Sequence, residues 1–474
     1  MINGDHYYMD ANGNQLEATQ ANAAANVLKA TSEESIEVYA DAGFNVLFIN
    51  WGATAYNVSE EVYTTYWDTS VVKDIMDWAA ERDIKCFVFA GTLHSLSSSH
   101  ESLINPDKAN GKTFFATQTA LNEYVAKILY GIKDHEAFYG VSLVDEAYYT
   151  QFDAMGQVYQ AVNAAKEGAF CNMNLNPMSY DKRAMERYNA ESAAQVAAGK
   201  TSFTAAEMEA AYCDYLELYY QKVGKYCGYI GYDNYPMLSN ASNNLFYPHI
   251  RNAQLVAEYC AKYGMRFGHV YQTCEYSSRR GPDAKDIEWQ FNLGLAFGVK
   301  DHSYYTYYPV LNSSDLPSED YTIVNRKGEP NETYTTIQKL HQNARVTAKA
   351  LAHFEYRDMQ YYTKGTVDSS MRNALSIVEN NGKFDEKLEN VAISQSGVAL
   401  VSELYDGEKG WFGYFVMNAT NPYGSVATQT VTLTFSGYRN VQIYQDGVVK
   451  NVALENGRIS LTLAEAAGAF VIPY

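Results

Sequence analysis

The sequence predicts an α/β chain: a parallel (β/α)8 barrel of the TIM type, followed by a smaller antiparallel β-sandwich. Three observations predict it. The first two-thirds of the 474 residues alternates strand-like and helix-like segments. Its strands are near-continuous apolar runs, as in a sheet buried on both faces. After about Tyr356 helical periodicity gives way to short alternating strands separated by Gly, Asn and Asp, the texture of a sandwich. The expected domains are residues 1–355 and 356–474.

The elements follow in order. "SEESIEVYADAG" is an amphipathic helix with Ser32 as N-cap, and "FNVLFIN" a buried strand. "SVVKDIMDWAAERD" and "IKCFVFA" repeat the unit, as do "TALNEYVAKILYGIKDH" and "FYGVSLVDE". The helix "MGQVYQAVNAAKEG" leads to the strand "AFCNMNLNP", and a long helical insertion precedes "CGYIGYDNYP". Two more units end in "MRFGHVYQT" and "KDHSYYTYYP", and a helix through "TYTTIQKLHQNARVTAKALAHF" closes the series. Seven strands are clear between Phe44 and Tyr308. The first strand must precede Ser32, where "HYYMD" and "ANVLKA" are the available segments. The rival fold, an open doubly wound sheet, wants a glycine-rich phosphate loop, and neither GxGxxG nor GxxxxGK occurs. In the second domain the charged run "ENNGKFDEKLEN" reads as a solvated loop.

Composition narrows the function. A net charge of −19 repels phosphate backbones and anionic membranes, which sets nucleic-acid binding aside. No apolar run is long enough to span a bilayer. The opening "MINGDHYYMDANGNQLE" is polar and acidic, as expected of a cytoplasmic protein or of an exported one whose leader has been trimmed. The six cysteines, at 86, 171, 213, 227, 260 and 274, include no CxxC pair and read as buried free thiols. The nine histidines lack ligand spacing, so neither a metal nor another cofactor is expected. The 42 tyrosines suit ordinary packing or a cleft that stacks on sugar rings. Nothing in the sequence sets an oligomeric state.

In a barrel of this type chemistry sits at the C-terminal ends of the strands. Those ends carry Asn50 and Trp51, then His94, then Asp145 and Glu146. Next come Asn172, Asn174 and Asn176, spaced by two and so on one face. Asp233, Asn234 and Tyr235 end the sixth strand, and Gln272, with Glu275 just beyond, the seventh. Tyr304, Tyr305, Tyr307 and Tyr308 mark the eighth. Period-two alternation puts Gly140, Ser142, Val144 and Glu146 on one face, pointing Glu146 inward and Asp145 toward the helices or the rim. The same alternation turns Gly231 and Asp233 inward. An acid, amides, tyrosines and a tryptophan on one rim suit a polyol better than a phosphate, which would want Arg and Lys.

"GVSLVDEAYY" resembles the acid/base strand of clan A glycoside hydrolases. "YIGYDNYPM" resembles the sixth strand of many bacterial members, and "VYQTCEYSSRRGPDAKDIEWQFNLGLAFGVKDHSYYTYYP" is similar to their seventh strand, helix and eighth strand. The C-terminal segment closing on "GAFVIPY" looks like their accessory β domain. Family 42 β-galactosidases are similar in flavour, although this chain has no room for their trimerisation domain.

The resemblance implies a retaining hydrolase of β-linked oligosaccharides or polysaccharides, with Glu146 as acid/base and Glu275 as nucleophile. Asp145, Asp233, Asn174, Tyr235, Gln272, Trp51, Tyr305 and Tyr307 would hold the sugar. Two positions depart from the pattern: Asp145 stands where the clan has Asn, and Glu275 lies three residues past Gln272. The adjacent Asp–Glu also resembles family 20 hexosaminidases, where Glu146 would be the acid and Asp145 would orient the substrate's acetamido group. A third expectation is a non-catalytic carbohydrate-binding barrel, with Gln272 where a carboxylate was lost.

Overall fold

The computed structural model describes residues 2–3, 8–9, 15–16, 32–51, 71–179, 182–239, 246–275, 278–308, 321–325, 328–365, 375–379, 381–422 and 427–474. It is a mixed α/β chain with parallel sheets and a separate antiparallel portion, and it divides into two compact units. One comprises Met1–Asp233 with Thr306–Asn331, the other Asn234–Tyr305 with Glu332–Tyr474.

The first unit is built on parallel strands. Ile2–Asn3 pairs with Val46–Trp51, which pairs with Lys85–Ala90, then Phe138–Ser142, then Phe170–Asn172. The chain breaks step at Met173 and resumes as Asn174–Leu175, which pairs with Tyr229–Asp233 instead. The first strand is therefore Ile2–Asn3, two residues with no periodic signal. The expected "HYYMD" contributes Tyr8–Met9 to a small antiparallel hairpin with Gln15–Leu16, and "ANVLKA" lies outside the described residues.

Each strand faces two ways, as alternation requires. Leu47, Ile49, Cys86, Val88 and Val141 are buried under helices. On the other face rings run from strand to strand: Phe48 to Phe87 at 5.1 Å, Phe87 to Phe170 at 5.6 Å and Phe170 to Tyr229 at 4.8 Å. Gly140 sits where a Cβ would lie 1.7 Å from the Phe170 carbonyl oxygen, so the strands approach this closely only with glycine there. Ser32 caps the helix Glu33–Asp41, its side chain accepting from Ser35 N. The insertion folds as helices Lys182–Tyr188, Ala190–Ala197 and Ala205–Tyr219.

The second unit holds the parallel pair Arg266–Gln272 and Asp301–Tyr305, with helices Phe246–Tyr263, Ala284–Ala296 and Glu332–Leu351. Behind the first of these strands His249 and His269 lie with ring centroids 5.5 Å apart, and His249 is 6.0 Å from Trp289. The two imidazoles are 1% and 2% exposed. The same unit carries a sandwich of a seven-stranded and a four-stranded sheet. Tyr362, Val401, Tyr414, Val416, Leu433 and Val471 are among its core residues.

The charged run is not the solvated loop expected of it. Asn381–Gly382 is a strand paired with Leu388–Ile393. Phe384 packs on the core. Tyr414 donates to Asp385 Oδ2 at 3.1 Å and to Glu403 Oε2 at 3.4 Å, drawing the turn onto the facing sheet. Burial first, and the Asp385 carboxylate second, push the Glu403 carboxyl up to about 8. All six cysteines are free; Cys86, Cys171, Cys260 and Cys274 are buried.

Candidate functional site

The Phe138–Ser142 strand ends two residues before its apolar run does. The ladder continues without strand geometry: Leu143 N donates to Asn172 O and Asn174 N to Val144 O, both at 3.0 Å. Glu146 then takes a left-handed backbone, with φ of 48°. That conformation costs a non-glycine residue roughly 1–2 kcal/mol, and such outliers cluster where function over-determines the backbone. It also ends the alternation, so the period-two extrapolation does not reach the acids.

The two carboxylates part accordingly. Asp145 is exposed, and its Oδ1 accepts from Asn174 Nδ2 at 2.8 Å rather than turning toward the helices. Glu146 is held by a cation. Its Oε2 accepts from Arg187 Nη1 at 2.7 Å. Arg187 comes from the insertion helix Lys182–Tyr188, and the same Nη1 reaches Asn176 Oδ1 at 2.5 Å. The guanidinium carbon lies 5.1 Å from the centre of the Tyr148 ring, a cation–π distance.

The scaffold beneath is stiff. The Ala147 carbonyl accepts from Asn176 Nδ2 and from Tyr215 Oη, each at 2.6 Å. Tyr188 donates to Pro177 O at 2.6 Å and accepts from Ser179 N at 2.9 Å. Buried Tyr215 and Tyr188 thus carry the insertion helices onto the loop that presents the acids. His94, in the helix Gly91–Ser98, meets the Leu143 carbonyl through Nδ1 at 2.6 Å. A carbonyl only accepts, so Nδ1 carries the proton.

Other residues of this unit divide between rim and core. Asn174 stands in register with Gly231, two residues before Asp233, which is 8% exposed. A Cβ at residue 231 would lie 2.6 Å from the Tyr229 hydroxyl, so this face admits no side chain there. Trp51 ends its strand in register with Ala90. Tyr307 is a core residue: it is 4% exposed and packs edge-on to Tyr39 at 5.0 Å and Phe44 at 5.8 Å. Packing of that kind corrects its expected place as a sugar contact.

In the second unit Tyr235 and Tyr305 stack with centroids 5.6 Å apart, both half-buried. Gln272 is fully buried, and its amide is taken up by backbone: Oε1 accepts from Met237 N at 3.0 Å, and Nε2 donates to Arg280 O at 2.8 Å and Cys274 O at 3.2 Å. It ties the loops together and presents no free polar atom to a sugar. Glu275 is exposed beyond the strand end and makes no hydrogen bond or ion pair with a described residue. Arg280, five residues on, is committed to buried Asp286, with contacts of 2.5 and 2.8 Å.

Sequence reasoning missed Arg187. The available signal was the helix "KRAMERY", in which Arg183 and Arg187 fall four apart and hence on one face, within a strongly acidic chain. Among the described residues no group of three His, Cys, Asp or Glu is disposed to hold a metal ion, and no helix is long and apolar enough to cross a membrane.

No known family's sequence pattern matches the chain, and no curated protein does. It is similar to several solved structures. For a family 5 glycoside hydrolase from Bacteroides vulgatus the identity is 9% and the TM-score 0.49, over 93% of this chain and 84% of the other. For a β-galactosidase from the psychrophilic Marinomonas ef1 they are 11% and 0.38, over 68% of this chain. The match spans 58% of that galactosidase's length. For an α-amylase from Anoxybacillus they are 11% and 0.42, over 93% of this chain and 89% of the other.

Proposed function

We propose that the chain is a glycoside hydrolase acting on a β-linked glycan by a retaining mechanism. The supporting observation is the adjacent Asp145 and Glu146 at the C-terminal end of a parallel strand. Glu146 is held there in a left-handed backbone, and Asn174, Asn176 and Tyr148 surround the pair. Among the described residues the first unit carries seven parallel strands, two of them separated only by Met173, and the second carries two. Barrel closure, and the division at residues 355 and 356, belong to this reading.

Glycosidic cleavage needs one carboxylic acid to protonate the leaving oxygen and one carboxylate to attack the anomeric carbon. Glu146 is the acid and Glu275, exposed and uncommitted among the described residues, the nucleophile. In the second half-reaction Glu146 accepts a proton from the water that releases the sugar. Such a pair works with its carboxyl groups about 5 to 5.5 Å apart. Asp145, Asn174, Asp233, Trp51 and the Tyr235–Tyr305 stack hold the sugar. The Arg187 guanidinium holds Oε2, which leaves Oε1 as the oxygen that carries the acid's proton. No step calls on a cofactor.

A second reading draws on the Asn174 bond that fixes the exposed Asp145 beside Glu146. In it Asp145 orients a substrate acetamido group as the nucleophile, and Glu275 is not needed. A screen of aryl glycosides with wild type and Glu146→Gln tests both. Turnover of glycosides lacking an acetamido group, lost in the variant, supports the first reading. Activity confined to N-acetylhexosaminides supports the second. Oligosaccharide binding without turnover, unchanged in Glu146→Gln, overturns both.

A further inference from the structure

We propose that Arg187 forms a subsite for an anionic group on the glycan, a uronate carboxylate or a sulfate ester, and so selects an acidic substrate. The inference rests on the carbohydrate-site reading and deepens it. Three features of the rim point this way. First, the guanidinium is set in advance: Nη1 is shared between Glu146 Oε2 and Asn176 Oδ1, and the guanidinium carbon lies 5.1 Å from the centre of the Tyr148 ring. A guanidinium ordered beforehand loses less freedom when it binds. Second, the bonds to Glu146 and Asn176 use one nitrogen, and Tyr148 is a further hydrogen-bond partner. Arginine carries five N–H donors in a rigid fork suited to planar oxyanions. These partners do not exhaust that capacity, and the side chain is 27% exposed. Third, the helix that presents it is locally basic. Lys182 and Arg183 occupy the same short element, with Arg183 one turn before Arg187.

A neutral glycan gives this cation nothing to bind that water does not. An acidic one replaces Glu146 as its partner. The net charge of −19 opposes an anionic ligand at long range, but at physiological salt that field decays within about 8 Å. The local pair decides the contact.

The test uses thio-linked disaccharides, which bind without being cleaved, in three forms: neutral, with a uronate at one ring, and with a sulfate at the same ring. Affinities are measured by calorimetry for wild type, Arg187→Met and Arg187→Lys, with inorganic sulfate as a fourth probe. A charge-assisted bidentate contact predicts about ten- to a hundredfold tighter binding of one acidic form than of its neutral twin. That ratio collapses toward one in Arg187→Met. It falls most of the way in Arg187→Lys, which keeps the charge and loses the fork, and so controls for a folding defect. Whichever acidic form shows the ratio identifies the anion. Equal affinity for neutral and acidic forms overturns the subsite and leaves the glycosidase reading standing. So does a ratio that survives in Arg187→Met, or inorganic sulfate binding as tightly as the sulfated sugar. Failure of every sugar to bind overturns the subsite together with the carbohydrate-site reading.

Discussion

Acidification should unfold the second unit through two imidazoles. His249 and His269 are buried against each other, and burial holds His249 down to about 3 and His269 well below the ordinary range. In the unfolded chain both titrate near 6.5. Between those limits the unfolded state binds more protons than the folded one, so stability is full above about 6.5 and is lost as pH falls. At about pH 5 each imidazole costs roughly 1.4 kcal/mol times 1.5 units, or about 2 kcal/mol, and the pair about 4 kcal/mol. Against a domain stability of about 5 to 15 kcal/mol this is a large share. Urea unfolding at about pH 7.5 and pH 5, followed by the fluorescence of buried Trp289 beside His249, reads the effect. A His249→Leu/His269→Leu protein is less stable at both pH values. It should nevertheless lose about 4 kcal/mol less than wild type on acidification, and each single variant about 2 kcal/mol less. An identical acid loss in wild type and the double variant would refute the reasoning.

Three further expectations follow from features described above. Glu403 ionises only near 8 because of burial and Asp385, so the folded state holds its proton more tightly than the unfolded one. Stability should therefore decline as pH rises from the ordinary carboxylate range toward 8, and Glu403→Gln should flatten that decline in denaturant titrations. Gly140→Ala places a methyl against the Phe170 carbonyl and should cost roughly 1–3 kcal/mol or more, measured by urea unfolding; a neutral change would mean that the two strands can separate without penalty. Glu146→Gln should lower kcat/KM about 100- to 10,000-fold on unactivated oligosaccharides and far less on dinitrophenyl glycosides, whose leaving group needs no proton. Equal losses on both would remove Glu146 from the acid role.

The sequence was most readable where one force dominated. Seven of the strands announced themselves because residues such as Leu47, Ile49, Val88 and Val141 had to be apolar to lie beneath helices. Ser32 could be read as a cap because its hydroxyl serves an adjacent helix start. Ile2–Asn3 could not, since a two-residue strand carries no period. The acids were found, but not their partners. Alternation predicts orientation only while the backbone stays extended, and it ends at the left-handed Glu146. Arg187 lies 41 residues away along the chain, in an insertion no strand-end search visits. Gln272 and Tyr307 read as site residues because position along a strand does not reveal that packing has already consumed their polar atoms or their ring faces. The run around Asp385 misled for a related reason: charge usually means solvent, yet here Asp385 is held by Tyr414.

The free thiols give the molecule an internal clock for its own opening. Cys86 and Cys171 lie inside one unit, Cys260 and Cys274 inside the other. Burial pushes Cys86 up to about 12, and Cys171 and Cys260 are raised as well. The thiolate is the reactive form, so these sulfurs stay silent to alkylating reagents until their surroundings open. Partly exposed Cys213 supplies an early reference within the same chain, whereas burial raises the Cys227 thiol, which stays with the silent group. Pulse alkylation read peptide by peptide would then record the order in which each unit opens, with no residue substituted.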